Sequence, residues 1–128
     1  MNRKLFAGAV LLVGLILIAG CTEQPQAQEE LKIGVVASMT GPASTTGKDI
    51  WQSAVLAVEE INADGGVYIK DVGHKVPVRA VLGDDESTRE GGQKAVTRLI
   101  TEDKVDILTG GFSSAVVSAH QSIVAQYG

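Results

Sequence analysis

Cysteine is nearly missing from this sequence, and positive charge is scarce. The single cysteine, Cys21, excludes an internal disulfide and any zinc set built on several cysteines. His74 falls in a turn and has no partner at metal-ligand spacing. His120 sits near an apolar stripe, where a packed or surface histidine is expected rather than a base. No metal and no cofactor is expected. Lys and Arg total 11 against 15 Asp and Glu, a net charge of −4. The first 20 residues hold Arg3 and Lys4 and no acid, which leaves −6 on the rest. An acidic body disfavours nucleic acid and anionic lipid as partners, but not a small anion held by local backbone dipoles. With 45% hydrophobic and 20% charged residues the body is globular, and 128 residues suit one domain or part of a larger one.

One long apolar run is present, over residues 5–19, directly after the basic pair. As a helix it would reach about 22 Å, at ~1.5 Å per residue. A bilayer core needs about 30 Å, so the run fits a secretion signal. It closes on Ile18-Ala19-Gly20-Cys21, which resembles the bacterial and archaeal lipobox. That resemblance implies a signal peptide over 1–20 and a lipid on Cys21 after cleavage. Residues 21–30 are polar, with Gln24, Pro25, Gln26 and Gln28 and no apolar period, and read as a flexible tether. Lasting anchorage takes more than one acyl or equivalent chain. The expected location is the cell envelope, lipid-anchored on the outer face of the cytoplasmic membrane.

From residue 31 the chain alternates strand and helix patterns. Residues 31–37 are almost continuously apolar, as in a central parallel strand covered on both faces. Residues 38–47, rich in small hydroxyl residues with two glycines and a proline, read as a loop, long for a strand-to-helix connection. A helix is expected over 48–63, with Ile50, Ala54, Ala57, Val58 and Ile61 on its inner stripe and Gly65-Gly66 at its end. A small hairpin then feeds a strand over 76–82, whose Pro77 lacks a ladder donor and so places it near an edge. Gly83-Asp84-Asp85-Glu86 reads as a solvated acidic loop. Ser87 and Glu90 have capping-box spacing for a helix to about Asp103, with Ala95, Val96, Leu99 and Ile100 buried.

The most informative stretch is Gly110-Gly111-Phe112-Ser113-Ser114. It lies between an apolar run at 105–109, expected as a buried strand, and a helix pattern at 115–126. A strand that turns into a helix through small residues leaves free N–H groups at the positive end of the helix dipole. Ser113 and Ser114 add hydroxyls there. The stretch reads either as a carboxylate cradle or as a plain N-cap. Three strand–helix units with right-handed crossovers give an α/β, doubly wound parallel sheet of strand order 2-1-3. The loops after strands one and three then share one carboxyl edge, a topological switch point.

Residues 33–47 (IGVVASMTGPASTTG), the helix end Glu59-Glu60-Ile61-Asn62-Ala63-Asp64-Gly65-Gly66, the Asp84-Asp85 turn and Gly110-Gly111-Phe112-Ser113-Ser114 together resemble the start of a type I periplasmic binding protein. The nearest group is the branched-chain amino acid (Leu/Ile/Val) receptors of ABC importers. The resemblance spans 31–128 and implies the N-terminal part of the first of two α/β lobes that close on ligand about a hinge. It implies that Ser114 and the Ala115 amide, with Ser113 beside them, hold an α-carboxylate. From the first loop it adds Met39 and Thr46, the latter where relatives often carry an aromatic. That departure puts leucine-type specificity in question, since relatives also take amides, urea and aromatic acids. The implied partners are a small amino-acid or amide-like solute, an ABC permease and the membrane through the lipid. With only part of one lobe, residues 21–128 alone are expected to bind nothing tightly.

Two rival functions bear on the same lobe. A ligand-sensing domain would use the closure to signal; a lipobox start favours transport. An envelope hydrolase would need a Gly-x-Ser-x-Gly elbow, and Gly111-Phe112-Ser113-Ser114-Ala115 lacks the last glycine. A receiver-type phosphoacceptor pocket is excluded as well, because Ser38-Met39, not paired acids, follow the first strand. The chain is therefore expected not to be an enzyme.

Overall fold

The computed structural model describes residues 29–127. The signal and lipidation expectations at 1–20 and Cys21 lie outside them, as does the tether up to residue 28. The tether's last residues are in view: the Glu30 carboxylate pairs with Arg79 at 2.9 Å, so the chain is tied down one residue before the first strand.

The elements are β1 (Leu31–Ala37), α1 (Ser44–Ala63), β2 (Val67–Ile69), β3 (His74–Val76), β4 (Val78–Asp84), α2 (Arg89–Thr101), β5 (Ile107–Gly110) and α3 (Ser114–Tyr127). β1 is central, pairing in parallel with β4 from Leu31↔Val78 to Ala37↔Asp84 and with β5 from Ile33↔Ile107 to Val36↔Gly110. The order β4-β1-β5 is the expected 2-1-3 once β2 and β3 are set apart as a separate antiparallel hairpin. Val35 and Val36 point to opposite faces, yet each is only 2% exposed. Helices therefore cover both faces. Val36 joins Val96 and Leu99 of α2, with Val81, Leu108 and Ile123 packed around them. Alternation along the strand leaves Val35 and Ala37 for α1.

Several expectations are corrected. α1 begins at Ser44, not at residue 48, so the first loop is short; Ala57 is exposed, off the inner stripe. Pro77, which has no N–H, splits the expected strand 76–82 into β3 and β4. β4 is an edge among the described residues, and Asn62 of α1 closes part of that edge. Its side chain donates to the Val78 carbonyl and accepts from the Val78 amide, both at 2.8 Å. The α2 cap is Thr88, whose hydroxyl accepts from Gly91 N at 2.9 Å, not Ser87, and the helix ends at Thr101. β5 is not buried: Ile107 is 48% exposed, because among the described residues nothing pairs with its outer edge.

Candidate functional site

Three loops meet at the carboxyl edge of the sheet, and two of them are clasped together. After β4 the chain turns at Asp84 and Asp85, which were expected in a solvated loop and are not. Asp85 is wholly buried; its Oδ1 accepts from Ser38 Oγ at 2.5 Å and from Ser87 N at 2.8 Å. Asp84 Oδ1 accepts from Met39 N and Glu86 N, each at 2.9 Å, and from Thr40 N at 3.3 Å, while Oδ2 accepts from Thr40 Oγ1 at 2.9 Å. Burial pushes the Asp84 carboxyl up, but these donors together outweigh it and hold it below its ordinary value of 3.8. Ser87 adds a stitch, donating to the Thr40 carbonyl at 2.8 Å and accepting from Ala43 N at 3.1 Å. This displaced Ser87 from the cap: its hydroxyl serves the first loop instead.

Gly47 brings α1 down onto the same edge. A Cβ there would overlap the Ser38 backbone, so no other residue allows that approach. Thr46, its neighbour, is half-buried in the first turn of α1, and Met39 is half-buried just past β1.

The loop after β5 is built otherwise. Gly110 and Gly111 take φ of +93° and +91°, and the Gly111 amide donates to the Val36 carbonyl at 2.7 Å, which carries the ladder past the strand end. The Ser113 carbonyl accepts from Val116 N at 3.0 Å and Val117 N at 2.9 Å, so Ser113 holds the cap position by its backbone. No carbonyl within the helix reaches the amides of Ser114 and Ala115. Among the described residues the hydroxyls of Ser113 and Ser114 have no protein partner. Ser114 and Ala115 are exposed, Ser113 is half-buried, and Phe112 stands 58% exposed at the rim. Amides, hydroxyls and a helix N-terminus thus converge on solvent at the switch point beside β1. The register of β1 with β5 sets Met39 and the serine loop at one edge; Thr46 joins from α1 through its neighbour Gly47.

A sequence profile described as periplasmic binding protein matches residues 30–128. The chain belongs to the periplasmic binding protein family. Members of the family are binding proteins, not enzymes, which removes the hydrolase. An amino acid binding protein of Pseudomonas aeruginosa is 30% identical over 115 residues, covering 90% of this chain and 29% of that protein. The crystal structure of the branched-chain amino acid transporter substrate binding protein LivJ from Streptococcus pneumoniae, in complex with isoleucine, superposes with a TM-score of 0.68 at 27% identity, over 77% of this chain and 27% of the other. A solute binding protein of an ABC transporter from Rhodopseudomonas palustris, in complex with 3,4-dihydroxybenzoic acid, gives 0.60 at 26% identity, over 76% and 24%. The chain spans under a third of the length of these relatives.

In this periplasmic binding protein, reading the residues alone missed Ser38, Asp84, Asp85 and Ser87 as the frame of the site. One signal was available. Two acids directly after a strand of a parallel sheet lie at the ligand edge, where they meet the loop amides of the neighbouring strand. His120 is buried as well, at 7% exposed. Burial holds its imidazole below the ordinary 6.5, against an opposing pull from Asp85. Among the described residues no group of three His, Cys, Asp or Glu could hold a metal ion, and no helix is long and apolar enough to cross a membrane.

Proposed function

We propose that this chain supplies the N-terminal part of the first lobe of a lipid-anchored extracytoplasmic receptor of an ABC importer, and that it binds a small amino acid or related carboxylate. The observation that carries this is the exposed Ser114 beside a half-buried Ser113, with the Ser114 and Ala115 amides free, where β5 gives way to α3. The two ligands seen in the similar structures, isoleucine and 3,4-dihydroxybenzoic acid, share little besides a carboxylate. A lobe that conserves the carboxylate cradle and varies its surroundings accommodates both. Ser114 and the Ala115 amide hold the carboxylate, with Ser113 beside them, and Met39 and Thr46 line the approach from the first loop. A second lobe closes about a hinge because bound ligand favours the closed form. Residues 1–20 direct export, Cys21 carries the lipid, and the following residues tether the body near its permease.

The test is a thermal-shift and calorimetric screen of the full-length protein with branched-chain amino acids, benzoates, amides and urea. A ligand at about 100 times its Kd adds about 2.7 kcal/mol of stability. Stabilisation by a carboxylate ligand, lost when its carboxylate is replaced by an amide, is the expected result. Stabilisation only by neutral solutes contradicts the cradle. For the anchor, Cys21→Ser should move the protein from the membrane to the soluble fraction.

A further inference from the structure

His120 lies on α3, and the contacts assigned to the carboxylate do not include it. It is nine-tenths buried, and its Nδ1 has no hydrogen-bond partner. Its Cε1 and Nε2 sit beneath Gly111: a Cβ built on that glycine would stand 3.8 Å from each. The ring also lines a crevice of about 110 Å³ under the end of β5. Asp85 is the charged group that acts on it. The other groups in the crevice, among them Val36 of β1, Val96 of α2, Thr109 and Gly110 of β5 and Gln121 of α3, are uncharged. Asp85 keeps one carboxylate oxygen, Oδ2, unpartnered, while Ser38 and Ser87 engage the other.

We propose that His120 is a positioning residue for the carboxylate site, setting by its charge beneath Gly111 how tightly the serine loop holds an anion. This rests on the reading of that loop as a carboxylate cradle. Without ligand, the apolar surroundings favour the neutral ring and Asp85 alone opposes them. A carboxylate arriving at Ser114 and the Ala115 amide, on the loop that Gly111 opens, brings a second negative charge and raises the ring's proton affinity further. Linkage is reciprocal, so a protonated ring raises carboxylate affinity by the same factor. The proton is taken up from solvent as ligand binds, within the window between the free and the ligand-bound midpoints of His120. Affinity therefore increases as pH falls through that window. The protonated ring also gains a second N–H donor, and Asp85 Oδ2 is an acceptor still unengaged in the same cluster.

The test uses the full-length protein and L-isoleucine as probe. Calorimetry in two buffers of different ionisation enthalpy should show proton uptake on binding, with affinity about fivefold tighter at about pH 5 than at about pH 8. His120→Gln should remove both the uptake and the slope. A wild-type protein that binds without uptake, or a variant that keeps the slope, overturns the proposal. A second arm needs no ligand. Nitrogen-15 NMR should show the Gly111 and Ser113 amides shifting with the His120 midpoint, and Asp85→Asn should lower that midpoint. Amides that do not follow the imidazole overturn the proposal even if every variant fails to fold. Absence of isoleucine binding alongside intact co-titration instead indicts the assignment of the ligand.

Discussion

The two sides of β1 end in opposite ways. Toward β4, nearly every polar group of the loop is engaged: Asp84, Asp85 and Ser87 together meet the amides of Met39, Thr40 and Ala43, the Thr40 carbonyl and the hydroxyls of Ser38 and Thr40. Toward β5, one ladder bond from Gly111 and the Ser113 carbonyl's cap on α3 fix the loop, while the Ser113 and Ser114 hydroxyls and the Ser114 and Ala115 amides stay unengaged among the described residues. The first arrangement is a frame, and the second is the surface proposed to receive ligand. A binding group must be held in place without being satisfied, since an internal partner would have to be displaced by ligand.

That contrast can be attacked at several depths. Asp85→Ala should have the largest effect. It strands the buried Ser38 hydroxyl and the Ser87 amide, and should cost about 3 kcal/mol in urea unfolding. A loss under about 1 kcal/mol would mean the frame is dispensable. Gly47→Ala comes next. Helix propensity alone predicts a gain of about 1 kcal/mol, whereas overlap with the Ser38 backbone predicts a loss of about 2 kcal/mol. The sign of the change in unfolding midpoint decides between them.

Ser114→Ala belongs to the other side of the comparison. It should weaken carboxylate binding about tenfold by calorimetry while changing stability by no more than about 0.5 kcal/mol. Equal damage to stability and binding would place Ser114 in the frame. The smallest effect concerns acid. The folded Asp84 carboxyl titrates below its unfolded value of 3.8. Its contribution is therefore complete above that value and is lost as pH falls through the lowered one. Asp84→Asn should flatten this part of the stability–pH curve by lowering the plateau above it, as followed by unfolding at acid and neutral pH.

Much of the architecture was legible before any coordinates. The apolar run of β1, the Ala95-Val96-Leu99 stripe and the glycine pair ending α1 are local signals, and each appears where periodicity puts it. The boundaries moved where a distant residue intervened. α1 starts four residues early because Ser87 holds the Ala43 amide and Gly47 lies against Ser38. Ser87 leaves the α2 cap for the same reason. The exposure of β5 was not legible, because an apolar strand reads as buried whether or not a neighbour is there to cover it.

The order of elements, their parallel pairing and the place of the serine loop at the end of the third strand of the sheet belong to the sequence alone. They follow from hydrophobic period, turn chemistry and the handedness of crossovers, which act over a few residues or apply to every chain of this pattern. The clasp of Asp84 and Asp85 on residues more than 40 positions earlier, and the seating of His120 under Gly111, were decided only in the tertiary structure. A carboxylate carries no mark of whether water or a backbone amide will meet it, and packing alone makes that choice.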